Sequence, residues 1–357
     1  MILKKTQNIR IFVSHLSKKM AVFRQKIEDR QKMQNPPLAI TIISGFLGSG
    51  KTTLLKRMLS TLPEAKRIAV VENELGDVPI DDIILSEYSP AKIDTVLGRT
   101  CCETRGAFVK TMKSLAENSS NYDRVIIEST GVVHPGMLAN AILSDQELSE
   151  KMRLDGIVTV VDAANFIQHL DGDGHAREQV AFADSIIINK CDLCSFAEVE
   201  KLTGLLQTIN PTAKYTVATH AQTDISAFLD LGGFDVKKIA QSVGGCFAAA
   251  SHSSNPHSHK HAIATVAIKT TDTYAFLSLK EWLEEYIAKH RDDIYRAKGI
   301  LSIANFDKQI VFQGVHDNFY VDVGDDWGDY PRENSMIFIG ENLNAQEIKD
   351  GLSKCIY

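Results

Sequence analysis

The sequence predicts an α/β chain with two domains: a mostly parallel sheet covered by helices, followed by a smaller α+β domain. From Pro37 onward, short runs of β-branched residues alternate with longer stretches of helical spacing, a pattern typical of parallel strands joined by helices. Beyond residue 262, several strand-like runs follow one another without helices between them, which indicates an α+β arrangement. The length of 357 residues also exceeds what one ordinary core accommodates.

The first domain, which we place at residues 38–231, contains six strand-like runs. They are, in chain order, LAITIIS, KRIAVVEN, YDRVIIES, DGIVTVVDA, ADSIIINK and AKYTVAT. Near-continuous apolar runs of this kind are expected for parallel strands that are buried on both faces. Aspartate breaks the longest of them well below the roughly 18 residues needed to span a bilayer, so we expect no membrane-spanning segment and no membrane partner.

The second domain, at residues 262–357, follows a segment that we interpret as a linker. Residues 232–261 are rich in glycine and small residues and hold few large apolar side chains. The segment holds a histidine-rich stretch, whose short length favours a solvated linker over the alternative of a metal store. The histidines of this stretch are His252, His257, His259 and His261. The predicted elements after the linker are a strand (AIATVAIKT), a helix (AFLSLKEWLEEYIAKH), four strands (YRAKGILSI, KQIVFQGVH, NFYVDV and SMIFIGE) and a final helix (NAQEIKDGLSKC).

Charge is distributed unevenly along the chain. Residues 1–37 carry nine lysines and arginines against two acids, so this extension has a charge of +7 within a total of −6 and leaves −13 for the rest. An acidic body argues against a nucleic-acid partner. The extension lacks the apolar segment and cleavage site of a secretory signal, so we predict a disordered extension and a cytoplasmic protein, with an organelle-targeting peptide as the alternative. Six cysteines without framework spacing indicate reduced thiols.

The strongest motif is GFLGSGKT at residues 45–52, which matches G-x-x-x-x-G-K-[ST] between a predicted strand and a predicted helix. In such a loop, backbone N–H groups converge on phosphates, Lys51 places a positive charge at the β and γ oxygens, and the Thr52 hydroxyl ligates Mg²⁺. The motif therefore predicts a nucleoside triphosphate site. Its predicted phosphate-binding residues are Gly45, Gly48, Ser49, Gly50, Lys51, Thr52 and Thr53.

A second motif, NKCD at residues 189–192, favours guanine as the base. An aspartate at position 192 can accept hydrogen bonds from guanine N1–H and the 2-amino group, whereas adenine offers neither donor there. The motif follows the run SIIIN, which places it at the carboxyl end of a strand where ligands bind in α/β sheets. We therefore predict that Asn189, Lys190 and Asp192 read the base of GTP.

A catalytic acid is predicted at the end of the run VIIE, where Glu128 precedes Ser-Thr-Gly. Glu128 could orient the attacking water or hold Mg²⁺ through water, and Gly131 could offer its backbone N–H to the γ-phosphate. Together with Lys51 and Thr52, these residues form the predicted catalytic set. Asp162, at the end of IVTVV, is the alternative acid.

Several ordered motifs together resemble the CobW-type GTPases, which are SIMIBI-class P-loop GTPases associated with metal delivery. They are GFLGSGKTT, VENELGD, a cysteine pair before ETRG, ESTG, NKCD, VFQGVH and SMIFIG. The resemblance runs from about residue 38 to the C terminus. It implies a first domain that binds GTP, a second domain that docks a partner or regulates, and a C-x-C-C motif that binds zinc or a related metal.

The chain departs from that family pattern at the metal motif, because Arg99 stands where the first cysteine is expected. Two thiolates alone leave part of a zinc shell to other ligands, so carboxylates of the VENELGD segment are the expected suppliers. The predicted metal ligands are Cys101, Cys102, Glu72 and Asp77, with Glu74 less favoured and His134 as a further candidate. The alternative is a pair of ordinary or redox-active thiols. The Cys191-x-x-Cys194 pair is less favoured because Cys191 lies in the base-reading motif.

The function that unites these features is a GTP-hydrolysing metallochaperone that delivers zinc or a related divalent metal to a client metalloprotein. Slow turnover is expected because the sequence offers no obvious arginine finger, Arg105 being the nearest candidate. One alternative is a regulatory GTPase without metal delivery. Another is a P-loop small-molecule kinase, which would have no reason to carry Asn189 and Asp192. Self-association into a homo-oligomer is left open.

Overall fold

The computed structural model describes residues 37–63, 65–72, 92–97, 105–131, 133–170, 174–233, 263–328 and 331–357. Residues 1–36 of the basic extension, residues 234–261 of the predicted linker and residue 262 lie outside this part of the chain. The described residues form a parallel sheet with helices and then an antiparallel sheet with helices. This confirms the predicted fold class.

The first domain is built on a parallel sheet with the strand order β3-β2-β4-β1-β5-β6-β7. Its strands are β1 (Leu38–Ser44), β2 (Arg67–Glu72), β3 (Lys92–Leu97), β4 (Arg124–Glu128), β5 (Met152–Asp162), β6 (Ser185–Asn189) and β7 (Lys214–Val217). Its helices are α1 (Lys51–Thr61), α2 (Arg105–Glu117), α3 (Pro135–Leu143), α4 (Gln146–Lys151), α5 (Phe166–His169), α6 (His175–Phe182) and α7 (Phe196–Ile209).

One strand of this sheet was not predicted from the sequence. The run KIDTVL of β3 contains Lys92 and Asp94, which interrupt the apolar pattern. β3 is the outermost strand of the described sheet beside β2, and an edge strand tolerates charged residues because it is not covered on all sides. The apolar pattern therefore identifies the five inner strands and the β7 edge strand, and misses β3.

The strand order reverses around β1, which pairs with β4 on one side and β5 on the other. In an open parallel sheet, ligands bind at the carboxyl ends of the strands where the order reverses. The segment after β1 is the loop of residues 45–50, and α1 then returns along the sheet with one apolar face buried. The buried residues of that face are Leu54, Leu55, Met58 and Leu59. The fold thus places the glycine-rich motif at the predicted binding edge.

The second domain is an antiparallel sheet with the strand order β11-β10-β9-β12-β8. Its elements are β8 (Ala264–Thr270), α8 (Phe276–Lys289), β9 (Ile294–Leu301), β10 (Lys308–Val315), β11 (Asn318–Asp326), β12 (Asn334–Gly340) and α9 (Ala345–Ser353). Alternate residues point to opposite faces of a strand. Phe312 and Phe338 accordingly pack with residues of α8 and α9, whereas Val311 and Ile337 join the apolar core of the first domain.

Charged side chains also join the two domains inside this shared core. Asp184, in the turn before β6, accepts hydrogen bonds from Arg296 and Lys298 of β9, the second at 2.9 Å. All three residues are buried. Burial opposes the charge of Asp184, but the two cations outweigh it and hold the pKa of its carboxyl below the ordinary value. The orientation of the second domain is therefore fixed by paired charges as well as by apolar packing.

The length and apolar composition of the described helices indicate whether any of them could span a membrane. Among residues 37–357, excluding the gaps given above, no helix combines the length and the apolar composition required to cross a bilayer.

Candidate functional site

The loop after β1 has the geometry of a phosphate-binding loop. Gly50 caps α1 with a left-handed φ of 107°, and a Cβ at this position would lie 2.4 Å from Asn189 Nδ2. Only glycine meets both requirements without strain. The first turn of α1 contains no acidic residue, so the partial positive charge of its N-terminus is left for an anion.

Lys51 lies across this loop. Its Nζ donates to the carbonyl oxygens of Gly45 at 2.9 Å and Phe46 at 3.2 Å, and the side chain is buried. These bonds hold the ammonium group over the loop where the phosphates of a nucleotide would lie. Ser49 is buried in the same loop and Thr53 is exposed on the first turn of α1.

Thr52 and Glu128 meet at the edge of the sheet. The Thr52 hydroxyl donates a 2.7 Å hydrogen bond to Glu128 Oε1, although the two residues are 76 positions apart in the chain. A hydroxyl and a carboxylate side by side are two of the oxygen ligands that Mg²⁺ prefers, held directly or through water. The structure therefore brings together the two residues predicted to form the magnesium and catalytic end of the site.

Buried hydroxyls around this pair indicate a polar ligand. The side-chain oxygens of Ser49, Ser129 and Thr130 are buried without a hydrogen-bond partner among the described residues. Buried polar groups are nearly always hydrogen-bonded, because leaving one unsatisfied costs about 1–3 kcal/mol. Phosphate oxygens and metal-bound water would satisfy these hydroxyls, so the residues present fit a nucleotide with Mg²⁺.

Gly131 lies directly against the phosphate-binding loop. A Cβ at this position would come within 2.5 Å of the Leu47 backbone nitrogen, so the close approach requires glycine. The Gly131 carbonyl accepts a 3.0 Å hydrogen bond from Gln179 of α6. Gln179 was not identified from the sequence, because nothing in its local pattern distinguishes it from other helix residues.

The Asn189 side chain connects the phosphate-binding loop to the loop after β7. Its Nδ2 donates to the Ser49 carbonyl at 2.9 Å, and its Oδ1 accepts from the Ala221 backbone nitrogen at 2.8 Å. Because the Asn189 side chain is buried and both of its polar ends are engaged, its role here is to hold the phosphate-binding loop against the loop after β7. The direct contact with the base that we predicted for Asn189 stays a prediction.

Lys190 and Asp192 belong to the same motif, and their contact with the base also stays a prediction. Lys190 has a left-handed φ of 61° and donates to Asp162 Oδ2 at 2.7 Å, while Asp192 is exposed on the next turn. Burial opposes ionisation of Asp162, but hydrogen bonds from Lys190 and Asn165 outweigh it and hold the pKa of that carboxyl below its usual value. Asp162 therefore orients Lys190, and it is Glu128, not this alternative acid, that contacts Thr52.

The predicted cysteine metal site lies largely outside the described residues. Cys101, Cys102 and Asp77 fall outside them, and for Glu72 the backbone alone is described. That backbone is informative, since Glu72 at the end of β2 is in register with Glu128 of β4 on one side and Leu97 of β3 on the other. The carboxyl ends of β2 and β3 are thus aligned with the end of β4, where Glu128 contacts Thr52.

Other candidates for metal or redox chemistry are less favourable. Burial raises the pKa of the Cys191 thiol and also that of Cys194, which disfavours the thiolate forms that bind metals. Both cysteines are free thiols. Arg105, the candidate arginine finger, begins α2, and its side chain lies outside what the structure describes.

His134 was a further candidate ligand of the cysteine site, and because that site lies outside the described residues this role stays a prediction. His134 caps the N-terminus of α3 and contacts Glu178 and His175, both on α6. Of this group, only His134 was named from the sequence, because His134 and His175 are far apart in the chain and only the fold brings them together.

Comparisons with known proteins agree with this geometry. Residues 39–217 match the family described as CobW/HypB/UreG, nucleotide-binding domain, and residues 263–356 match the cobalamin synthesis protein cobW C-terminal domain. The zinc chaperone YjiA of Escherichia coli is 29% identical over 317 residues, which cover 88% of this chain and 97% of that protein. The zinc-regulated GTPase metalloprotein activator 1 of Schizosaccharomyces pombe is 34% identical over 206 residues, or 56% of this chain and 50% of that protein.

A solved structure supports the same assignment. The crystal structure of Zn(II)-bound YjiA GTPase from E. coli superposes with a TM-score of 0.69 at 25% identity and covers 90% of this chain and 100% of that one. The superposed 90% of this chain includes both domains, and the family match over residues 39–217 spans the nucleotide motifs. The chain therefore belongs to the CobW/HypB/UreG family and is a CobW-type P-loop GTPase.

Proposed function

We propose that this chain is a GTP-hydrolysing metallochaperone that delivers zinc or a related divalent metal to client metalloproteins. The names of its relatives, a zinc chaperone and a zinc-regulated metalloprotein activator, support the metal part of the proposal. The arrangement of the strand ends at the catalytic edge supports a coupling between metal and nucleotide.

GTP would bind with its phosphates over the loop of residues 45–50 and its base beside Asp192. Lys51 would exchange its bonds to the loop carbonyls for the β and γ oxygens, and the Asp192 carboxylate would accept from guanine. Mg²⁺ would supply charge neutralisation on the phosphate oxygens. Thr52 and Glu128 are the residues placed to hold it and to orient the attacking water.

The metal cargo would bind on the segments that follow β2 and β3. Cys101 and Cys102 come shortly after Leu97, and Glu72 is in register with that residue. Thiolates with a carboxylate give a zinc site that is short of one strong ligand, because Arg99 replaces the first cysteine of the family motif. An incomplete shell leaves a position for a ligand from the client, which favours transfer over storage.

Coupling is the step that turns a GTPase with a metal site into a metallochaperone. The observation that carries the proposal is the alignment of Glu128, which contacts Thr52, with Glu72 on the neighbouring strand. Hydrolysis of the γ-phosphate that moves Glu128 would therefore act on the strand next to the one that carries Glu72, a predicted metal ligand. For this to drive transfer, the metal must bind the GTP and GDP states with unequal affinity.

The test is a competitive zinc titration against a chromophoric chelator, with the protein held in GDP or in a non-hydrolysable GTP analogue. The proposal expects different zinc affinities in the two nucleotide states and weaker binding in Cys101→Ser. Cys355→Ser is the matched control, since Cys355 is buried in the second domain far along the chain. Equal affinities in both states would contradict the switch, and equal binding by wild type and Cys101→Ser would contradict the site.

The same preparation separates the two alternative functions. A regulatory GTPase would release phosphate from GTP and show no nucleotide dependence of zinc affinity. A small-molecule kinase would transfer the phosphate to an acceptor and would not require Asp192 for nucleotide selectivity.

A further inference from the structure

A second group of metal-binding side chains lies where α3 and α6 meet the second domain. His134 is the N-cap of α3, and His175 and Glu178 are one turn apart on α6. One ligand atom from each of these residues lies within 4.8 Å of the other two, and all three residues are half-buried. None of them belongs to the nucleotide motifs or to the cysteine segment.

The three side chains converge on one point. Nδ1 of His134 contacts Glu178 Oε2, and Nδ1 of His175 lies 3.9 Å from the same oxygen. The two imidazole rings meet edge to face with their centroids 4.4 Å apart. A histidine–carboxylate hydrogen bond involves one imidazole ring. Here the Nδ1 atoms of two rings face the same carboxylate oxygen, Oε2 of Glu178.

This set has the chemistry of a zinc site. Two imidazole nitrogens and one carboxylate are a common three-ligand shell, with bonds of about 2.0–2.2 Å and a fourth position for water or another ligand. Tetrahedral bonds of that length put the ligand atoms about 3.4 Å apart, so separations within 4.8 Å need only small side-chain rotations.

The carboxylate is also oriented from outside the cluster. Tyr295 of β9 donates to Glu178 Oε1 at 3.3 Å, on the oxygen that does not face the histidines. Hydrogen bonds of this kind orient ligating carboxylates in metal sites. Glu178 is followed by Gln179, which donates to the carbonyl of Gly131 beside the phosphate-binding loop. The cluster therefore contacts the second domain through Tyr295, and the next residue of α6 contacts the backbone beside the phosphate-binding loop.

We propose that His134, His175 and Glu178 form a binding site for Zn²⁺ or a divalent cation of similar ligand preference, separate from the cysteine site. The proposal goes beyond metal delivery by the cysteine segment and does not depend on it. An ion held there would join α3, α6 and, through Tyr295, the second domain.

The experiment uses the full chain with the Cys101→Ser and Cys102→Ser substitutions, so that the cysteine site contributes nothing. Co²⁺ serves as the probe, because nitrogen and oxygen ligands give visible bands without the intense near-ultraviolet absorption of thiolate ligation. Zinc affinity is then measured by chelator competition. The proposal expects one Co²⁺ per chain with nitrogen and oxygen ligation, displaced by zinc.

Two substitutions test the assignment in that background. Glu178→Gln keeps the shape of the side chain but removes its charge. His175→Gln removes an imidazole from the first residue of α6, which is half-exposed. Each is expected to weaken zinc binding at least about tenfold, since even the loss of a residue that only orients a ligand commonly costs that much. Far-UV circular dichroism and thermal melting confirm that each variant is folded.

His290→Gln is the matched control. His290 also faces two carboxylates, but they lie 3.3 Å from opposite ring nitrogens, Asp293 at Nδ1 and Glu347 at Nε2, so they cannot share one ion with it. Its substitution is expected to leave zinc affinity within about twofold, because it removes no ligand of the proposed site. Absence of Co²⁺ binding in the thiol-substituted chain, or equal affinities in His175→Gln, Glu178→Gln and His290→Gln, would overturn the proposal.

Discussion

The hydroxyl of Thr52 donates a 2.7 Å hydrogen bond to Glu128 Oε1, which joins the first turn of α1 to the end of β4. This contact ties the phosphate-binding loop to the strand that is in register with Glu72. In the proposed function, this contact is the point through which a bound γ-phosphate would affect the neighbouring strand end at Glu72.

Glu128→Gln is expected to slow GTP hydrolysis by about 10²-fold or more, because it would remove the charge that we propose orients water and holds Mg²⁺ through water. The amide keeps the size of the side chain, so the GTP affinity should stay within several-fold of wild type. Single-turnover phosphate release and nucleotide titration measure the two quantities.

Asp123→Asn is the control for this substitution, because Asp123 immediately precedes β4 and pairs with exposed Lys66 at the opposite end of the strand. Its hydrolysis rate should equal that of wild type. A rate for Glu128→Gln within threefold of wild type would rule out the catalytic role of Glu128.

Lys51→Ala is expected to abolish nucleotide binding, because the buried ammonium group over the loop is the cation that faces the β and γ phosphates. Lys56→Ala, one turn further along α1, should bind GTP like wild type. Equilibrium dialysis with labelled nucleotide gives the result, and binding by Lys51→Ala at wild-type affinity would refute the phosphate site.

Asp192→Asn and Asn189→Ala should have different effects, although the two residues belong to one motif. Asp192→Asn should shift preference from GTP toward xanthosine triphosphate, since the lost charged hydrogen bonds are worth about 1.5–3 kcal/mol. Asn189→Ala should weaken all nucleotides alike and lower the melting temperature, because it leaves the Ser49 carbonyl and the Ala221 amide without their side-chain partner.

Competition among GTP, ATP and xanthosine triphosphate, together with thermal melts, separates these two outcomes. If Asp192→Asn kept the GTP selectivity of wild type, the base-reading role of Asp192 would be wrong. If Asn189→Ala changed selectivity without a loss of stability, its bracing role would be wrong.

Asp184→Asn should destabilise the chain by about 3–5 kcal/mol at pH 7, because Arg296 and Lys298 would stay buried after losing the carboxylate that pairs with both. The pKa of Asp184 is lowered in the folded state, so its contribution is complete above the unfolded value of about 3.9 and is lost as the pH falls through the lower folded value. The stability difference from wild type should therefore stay constant from pH 7 to pH 5 and shrink below about pH 4.

Urea titration followed by tryptophan fluorescence reports this interface, because Trp282 and Trp327 both belong to the second domain. Asp307→Asn, in an exposed pair with Arg332, is the control and should change stability by less than about 1 kcal/mol. A stability difference for Asp184→Asn that already varies between pH 7 and pH 5 would contradict the assigned pKa direction.

The sequence was sufficient for the fold class and for the nucleotide end of the site, for identifiable physical reasons. Buried parallel strands require long β-branched runs, which can be recognised in the sequence. A phosphate-binding loop requires glycines and a lysine at fixed spacing, which can be recognised in the same way. The edge strand β3 was missed because Lys92 and Asp94 break its apolar run.

Contacts that depend on packing between distant segments could not be predicted from the sequence. Asn189 matched a base-reading motif, yet its buried amide holds Ser49 and Ala221, which only the fold brings to it. The same is true of Asp184 with Arg296, and of His134 with Glu178, because neither pair lies at a spacing that any single element would reveal.

The central claim, that GTP and the metal cargo bind cooperatively or competitively through one edge of the sheet, is tested most directly by nucleotide affinity. The ratio of affinities for a GTP analogue and GDP is measured with excess zinc and with a chelator, in wild type and in the chain with Cys101→Ser and Cys102→Ser. Linkage requires zinc to change this ratio by the same factor by which nucleotide changes zinc affinity, on the order of 5–150-fold for typical coupling. The account predicts such a change in wild type and none in the doubly substituted chain, and an unchanged ratio in wild type would contradict it.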